Sequence, residues 1–87
     1  MYQIQYSGHV RSVEIPKLDP AIRMVILQAI ELKLMTAPEV FGKPLRHTLR
    51  LLRALRVGDW RVVYQLSGEV VYVVTIRHRR QGYDDLS

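Results

Sequence analysis

Two glycine-bearing dipeptides, Gly58-Asp59 and Ser67-Gly68, cut the last part of this chain into three runs of strand length. Arg50 to Val57 is the first, Trp60 to Leu66 the second and Glu69 to Arg77 the third. Ser67-Gly68 has the composition of a tight hairpin turn, and Gly58-Asp59 that of a turn or bulge. Side chains alternate across a strand, so parity assigns the faces. Trp60, Val62, Tyr64 and Leu66 share one face of the second run, with Arg61, Val63 and Gln65 on the other. In the third run Val70, Tyr72, Val74 and Ile76 form the apolar set, opposite Glu69, Val71, Val73, Thr75 and Arg77. The even positions are therefore the expected core. The odd positions put Arg61, Arg77 and, should the strand extend, Arg79 on the opposite face, where an uncovered sheet would offer a platform for phosphate.

Upstream, Tyr2 to Tyr6 alternates as a half-buried strand does. Ser7 is placed to cap a short helix over roughly Gly8 to Ile15, which Pro16 ends or bends. Asp19-Pro20 is a strong helix start, with Asp as N-cap and Pro in the first turn, and that helix is predicted to run to about Thr36. Ile22, Ile26, Ile30 and Leu34 form an i, i+4 column flanked by Val25 and Ala29, the stripe that faces a core. Met24, Leu27, Leu32 and Met35 lie outside it. Packing against the first helix as well as the sheet accounts for this surplus, and a partner-binding surface is the alternative. Ala37-Pro38 stops the helix, and a connecting loop containing Gly42 is expected up to Pro44. The order is β-α-α-β-β-β. Helices segregated before a run of hairpins imply an α+β fold in which two helices pack on one face of a four-stranded antiparallel sheet. With 87 residues, 1–87 is expected to be a single domain.

Charge is distributed unevenly between the two halves. The first 42 residues balance Arg11, Lys17, Arg23 and Lys33 against Glu14, Asp19, Glu31 and Glu39. The remainder sets nine cations, eight of them arginine, against Asp59, Glu69, Asp84 and Asp85, so the whole net charge of +5 belongs to it. A guanidinium offers a planar fork matched to phosphate. Such a half fits a polyanion ligand, an acidic protein partner or a solvated basic face. With no cysteine, neither disulfides nor thiolate metal sites are available, which suits a reducing cytoplasm. The chain opens on a strand-like segment rather than a secretory leader, and its apolar runs are far shorter than a membrane span. A cytoplasmic protein without a membrane partner is expected.

No metal-ligand spacing and no glycine-rich nucleotide loop is present, so no metal or cofactor is expected. His9, His47 and His78 are scattered, and the acids of the basic half are too dispersed for paired-carboxylate chemistry. What remains is Arg61 with Arg77-His78-Arg79-Arg80 and Tyr83. RNA carries its own nucleophile, the 2′-OH. A protein that removes its proton, stabilises the phosphorane and protonates the leaving 5′-oxygen cleaves RNA without a metal. A tyrosine near its ordinary pKa of about 10 is a poor base, and neighbouring guanidinium groups lower that value. Tyr83 fits that role, while packing of the C-terminus is the commoner task of a terminal tyrosine.

The stretch Lys43 to Tyr83 resembles the RelE/ParE toxin superfamily of type II toxin-antitoxin systems. Lys43-Pro44-Leu45-Arg46 is similar to its loop before the second strand. Leu55-Arg56-Val57-Gly58-Asp59-Trp60-Arg61-Val62-Val63-Tyr64 resembles its central signature, and Ile76-Arg77-His78-Arg79 followed by Tyr83 resembles its ending. Ile15-Pro16-Lys17-Leu18 also fits the family's opening. The resemblance implies a toxin that cleaves mRNA on the ribosome as a metal-independent endoribonuclease and inhibits translation. It implies Arg61 and Arg79 as phosphate-stabilising groups, Tyr83 as base, and Lys43, Arg46, Arg50, Arg53, Arg56, Arg77 and Arg80 as RNA contacts. The departure lies in the first of the three strands, where some RelE proteins carry two catalytic lysines and this chain has Leu52 and Ala54. That leaves the general acid open, with His78 as a conceivable substitute. A ParE-like inhibitor of DNA gyrase and a degenerate toxin that only binds its antitoxin are the alternatives. An acidic antitoxin is the expected partner under each, with mRNA and the ribosome for the nuclease and DNA met only through the antitoxin.

Overall fold

Asp19 opens the longest helix as its neighbourhood predicts: its carboxylate accepts a hydrogen bond from the Ala21 N–H at 3.2 Å, and Pro20 sits in the first turn. The computed structural model describes residues 1–45 and 52–81. Strand β1 is Gln3–Tyr6, and helix α1 joins a wide turn, Val10–Glu14, to Ile15–Lys17. Helix α2 is Pro20–Ala29 continued by Ile30–Leu34, and α3 is the single turn Pro38–Phe41. Strands β2 (Lys43–Pro44), β3 (Leu52–Val57), β4 (Trp60–Ser67) and β5 (Val70–His78) follow, and a 3₁₀ turn occupies Arg79–Gln81. The expected start of the third-last strand, at Arg50, lies outside the described residues.

The class is α+β, with the helices on one face of the sheet, as expected. The sheet has five strands rather than four, in the order β1-β5-β4-β3-β2. It is also not wholly antiparallel, because β1 runs parallel to β5, pairing Gln3 with Val70 through Tyr6 with Val73. The segment expected as a loop before Pro44 instead holds α3 and the two-residue strand β2, whose Lys43 and Pro44 pair with Ala54 and Arg53. Pro16 does not stop α1. The helix ends one residue later, at Lys17, and Leu18 turns extended (ψ 140°).

Both two-residue turns rest on a glycine in the left-handed region, Gly58 at φ 60° and Gly68 at φ 57°, where a Cβ is strained. The second turn is Gly68-Glu69; Ser67 belongs to β4 and pairs with Val70.

Ile26, Ile30 and Leu34 of α2 join Val10 and Leu18 over Leu55, Val62, Tyr64, Val71, Val73 and Ile76 of the sheet, forming one core. The expected alternation in β5 holds only at its end. Val63 pairs with Thr75 but Tyr64 pairs with Val73, so Val74 is an extra residue, a bulge. One inserted residue reverses the parity, which turns Val71 and Val73 inward and leaves Tyr72 37% exposed. Beyond the bulge Ile76 faces the helices and Arg77 faces away, as predicted. Where β1 ends, the Glu14 carboxylate takes over the edge of β5, accepting the Ile76 N–H at 2.8 Å and the Thr75 hydroxyl at 2.7 Å. Of the apolar surplus on α2, Leu27 packs against the core while Met24, Leu32 and the flanking Val25 are exposed. Among the described residues no helix is long and apolar enough to cross a membrane.

Candidate functional site

Leu55, Val62 and Ile76 lie in one row across β3, β4 and β5, and all three point into the core. Alternation then points the next row, Arg56, Arg61 and Arg77, out of the opposite face. Arg56 is directly opposite Arg61, and Arg61 directly opposite Arg77. Like charges in direct cross-strand register repel one another and weaken a sheet where no counter-charge offsets them. Lys43 stands on this same face, in the adjacent row, across from Ala54, which in turn pairs with Val63.

Lys43, Arg56 and Arg61 line a cleft of about 330 Å³ together with Phe41, Pro44, Leu45 and Ala54. Arg61 is half-buried, and its Nη1 is enclosed with no hydrogen-bond partner among the described residues. A buried donor left unpaired is rare and costly, and an incoming acceptor relieves that cost. Arg56 is exposed, its Nε reaching only the Gly58 carbonyl at 3.4 Å. The result is a field of cations with at least one donor held ready for an anion.

Leu52 and Ala54, which occupy the positions of the lysines discussed above, belong to the outer face, and Ala54 forms part of the cleft wall. Lys43 is the register partner of Ala54 on β2, so a lysine reaches this part of the cleft from the neighbouring strand. Among the described residues no group of three or more His, Cys, Asp or Glu side chains is arranged to hold a metal ion.

Several expected site residues lie elsewhere. Arg53, expected among the RNA contacts, is on the helix side: its Nη2 donates to the carbonyls of Glu39 (2.7 Å) and Gly42 (3.1 Å), tying down the end of α3. His78, expected among the catalytic groups, shares the row of Val57 and Trp60 and packs edge-on against Trp60, with ring centroids 5.1 Å apart. Strand parity puts it across the sheet from the arginine row, where it lines a second cavity with Ile22, Val25 and Ile26. The strand stops at His78, so Arg79 does not continue the outer face. It sits in the 3₁₀ turn, its backbone N–H bonded to the Asp59 carbonyl (2.8 Å) and its guanidinium 3.7 Å from the Asp59 carboxylate. Arg80 is exposed in the same turn. Arg46, Arg50 and Tyr83 lie outside the described residues.

Three tyrosines have pKa values pushed above the ordinary one: Tyr64 by burial, opposed in part by Arg53; Tyr6 by burial; and Tyr2 by its hydrogen bond to the Glu39 carboxylate. None of these three is suited to act as a base. Tyr64 has a structural task. Its hydroxyl donates to the Pro38 carbonyl, and it fills the space beside Gly42 so fully that a Cβ there would overlap the phenol. Tyr64 and Arg53 thus pin the α3–β2 corner from the helix side, and that corner presents Phe41 and Lys43 to the cleft. Phe41, the chain's single phenylalanine, was missed by sequence reasoning. Its position between Pro38 and the Gly42 corner is the one local signal that it stands at a fixed bend.

The model of the ParE toxin of type II toxin-antitoxin systems, parDE, matches residues 19–83. No curated protein matches the chain in sequence. Among solved structures the fold is similar to a RelBE toxin-antitoxin complex from Mycobacterium tuberculosis (23% identity, TM-score 0.76, covering 90% of this chain and 98% of that one). It is also similar to the isolated RelE toxin of E. coli (21% identity, TM-score 0.73, covering 90% and 84%). A RelB-RelE antitoxin-toxin complex from Methanococcus jannaschii is a further match (17% identity, TM-score 0.70, covering 92% and 95%).

Proposed function

Because the chain belongs to the ParE toxin family of type II toxin-antitoxin systems, we propose that it is a toxin that cuts mRNA on the ribosome, without a metal, and so inhibits translation. The observation that carries this reading is the in-register row Arg56–Arg61–Arg77 beside Lys43 on the sheet face opposite the helices. A cleft bearing several cations is a seat for successive phosphates of a single strand.

The roles follow from what each group is able to do. Arg61, half-buried and with an enclosed N–H that has no partner among the described residues, stabilises the charge that grows on phosphorus as the 2′-OH attacks. Arg56 and Arg77 hold the phosphates on either side, and Arg79 and Arg80 extend the basic surface beyond the strand end. Lys43 donates the proton that the departing 5′-oxygen requires, because an ammonium releases a proton far more readily than a guanidinium. This assigns to Lys43 the task first considered for His78, which the sheet separates from the row. Tyr83 remains the base implied by the family. An antitoxin accompanies the toxin in the M. tuberculosis and M. jannaschii complexes, and an acidic one is the partner proposed to cover the arginines.

Induced expression should arrest growth with mRNA cut inside codons on ribosomes, read by mapping 5′ ends. Arrest with intact mRNA overturns the nuclease reading. The matching family model is that of ParE, and this favours one second reading, a gyrase inhibitor on the same fold. Purified protein that blocks supercoiling by gyrase while leaving mRNA whole would establish it instead.

A further inference from the structure

The cleft is not lined by cations alone. Beside Lys43, Arg56 and Arg61 its lining includes the apolar groups Phe41, Pro44, Leu45 and Ala54. Phosphate needs no apolar lining. Phe41 is 45% exposed, so part of its ring is open to a ligand.

The bend that carries the ring is also held in place. The backbone of α3 is fastened through the Pro38 carbonyl to Tyr64, and through the Glu39 and Gly42 carbonyls to Arg53. The Lys33 ammonium lies 5.6 Å from the ring centroid, adding a cation at the same corner. A ring carried on a fixed bend beside a row of guanidinium groups matches the alternation of a nucleotide, a flat apolar base joined to an anionic phosphate.

We infer that Phe41 is a nucleobase seat: a base of single-stranded RNA stacks on its ring while the adjoining phosphates lie on Arg56 and Arg61. The inference rests on the reading of the basic face as an RNA site and adds to it a demand that the ligand carry an accessible base. Duplex RNA, whose bases are already stacked, is excluded from the seat.

The test measures binding by fluorescence anisotropy with two labelled hexamers. One is a 2′-O-methyl single-stranded RNA, which cannot be cut; the other is an abasic hexamer with the same number of phosphates. Phe41→Ala should weaken the base-bearing hexamer roughly tenfold and leave the abasic one unchanged, whereas Phe41→Trp should restore binding. Because Tyr64 and Arg53 grip only the backbone of α3, Phe41→Ala keeps the corner intact, as an unchanged circular dichroism spectrum and melting temperature would show. Arg61→Ala is the control and should weaken both hexamers. Loss on neither hexamer with Arg61→Ala overturns the RNA reading of the face itself. If Arg61→Ala weakens both while Phe41→Ala weakens neither, or both equally, the base seat alone is overturned and the ring belongs to a protein contact.

Discussion

The two faces of the sheet are built from the same strands and obey opposite rules. On the helix side, Val62, Tyr64, Val71 and Val73 are fully buried in a continuous apolar core. On the other side, one residue along each strand, Arg56, Arg61 and Arg77 stand in direct register. The first face gains stability from every side chain it buries, at about 25 cal/mol per Å² of apolar area removed from water. The second gives some back, because aligned like charges repel. Among the described residues one enclosed donor of Arg61 on this face has no partner, and that is the feature the proposed anion site uses.

Breaking the covered face should produce the largest effect. Tyr64→Ala removes a fully buried ring and should cost about 3–5 kcal/mol of stability, the usual range for deleting a buried aromatic. Urea unfolding would register it as a lower midpoint. Because Tyr64 also holds the Pro38 carbonyl, the α3–β2 corner should loosen with it, and RNA affinity should fall even where the protein stays folded. A loss below about 1 kcal/mol would show that the site repacks and that the corner does not depend on Tyr64.

Breaking the open face should have the reverse signature. Arg61→Ala is expected to reduce mRNA cleavage by about 10²–10³-fold, the cost of removing one preorganised donor to transition-state charge. Thermal unfolding should be unchanged or slightly improved. A stability loss comparable to that of Tyr64→Ala would place Arg61 with the scaffold and erase the contrast between the faces.

Lys43→Arg separates charge from proton transfer on the same face. Arginine keeps the positive charge but holds its proton too tightly to serve as an acid. RNA binding should be preserved while the single-turnover cleavage rate drops by about 10²-fold. Cleavage at the native rate would remove Lys43 from the proton-donor role and leave it a phosphate contact.

Much of this contrast is legible in the chain itself, for reasons that differ by element. Asp19-Pro20 and the Ile22–Leu34 column mark α2 because capping and i, i+4 periodicity are local properties. Gly58 and Gly68 mark the turns because few residues tolerate positive φ. The outward placement of Arg61 and Arg77 follows from parity, since both lie on the same side of the bulge. Val70 to Val74 is where parity fails. Apart from Tyr72 the run is valine at every position, so either register buries apolar groups and nothing local marks Val74 as the extra residue. The parallel pairing of β1 with β5 joins residues nearly seventy positions apart and leaves no local trace. Arg53 counts as one more cation of the basic half, yet parity already turns it to the face opposite Leu52 and Ala54. What the chain does not reveal is its task there, donating to the Glu39 and Gly42 carbonyls, because α3 falls in a segment that reads as a loop.

The smallest effect probes the cost of the arginine row directly. Arg56 and Arg61 are directly opposed, and such cross-strand pairs bring their Cβ atoms to about 4.5–5.5 Å. Arg56→Gln keeps a long polar side chain and removes one charge, so it should stabilise the protein by roughly 0.2–1 kcal/mol at low salt. The long bond from Arg56 to the Gly58 carbonyl, 3.4 Å on an exposed side chain, is too weak to offset that gain. Salt then tests the cause. At 1 M the Debye length falls to about 3 Å, shorter than the spacing between the side chains, and the gain should vanish as the wild-type repulsion is screened. The two proteins would differ in urea midpoint at low salt and coincide at high salt. A gain of the same size at both salt concentrations would trace the cost to packing of the arginine stem rather than to charge, and the open face would then lose its claim to be strained for the sake of an anion.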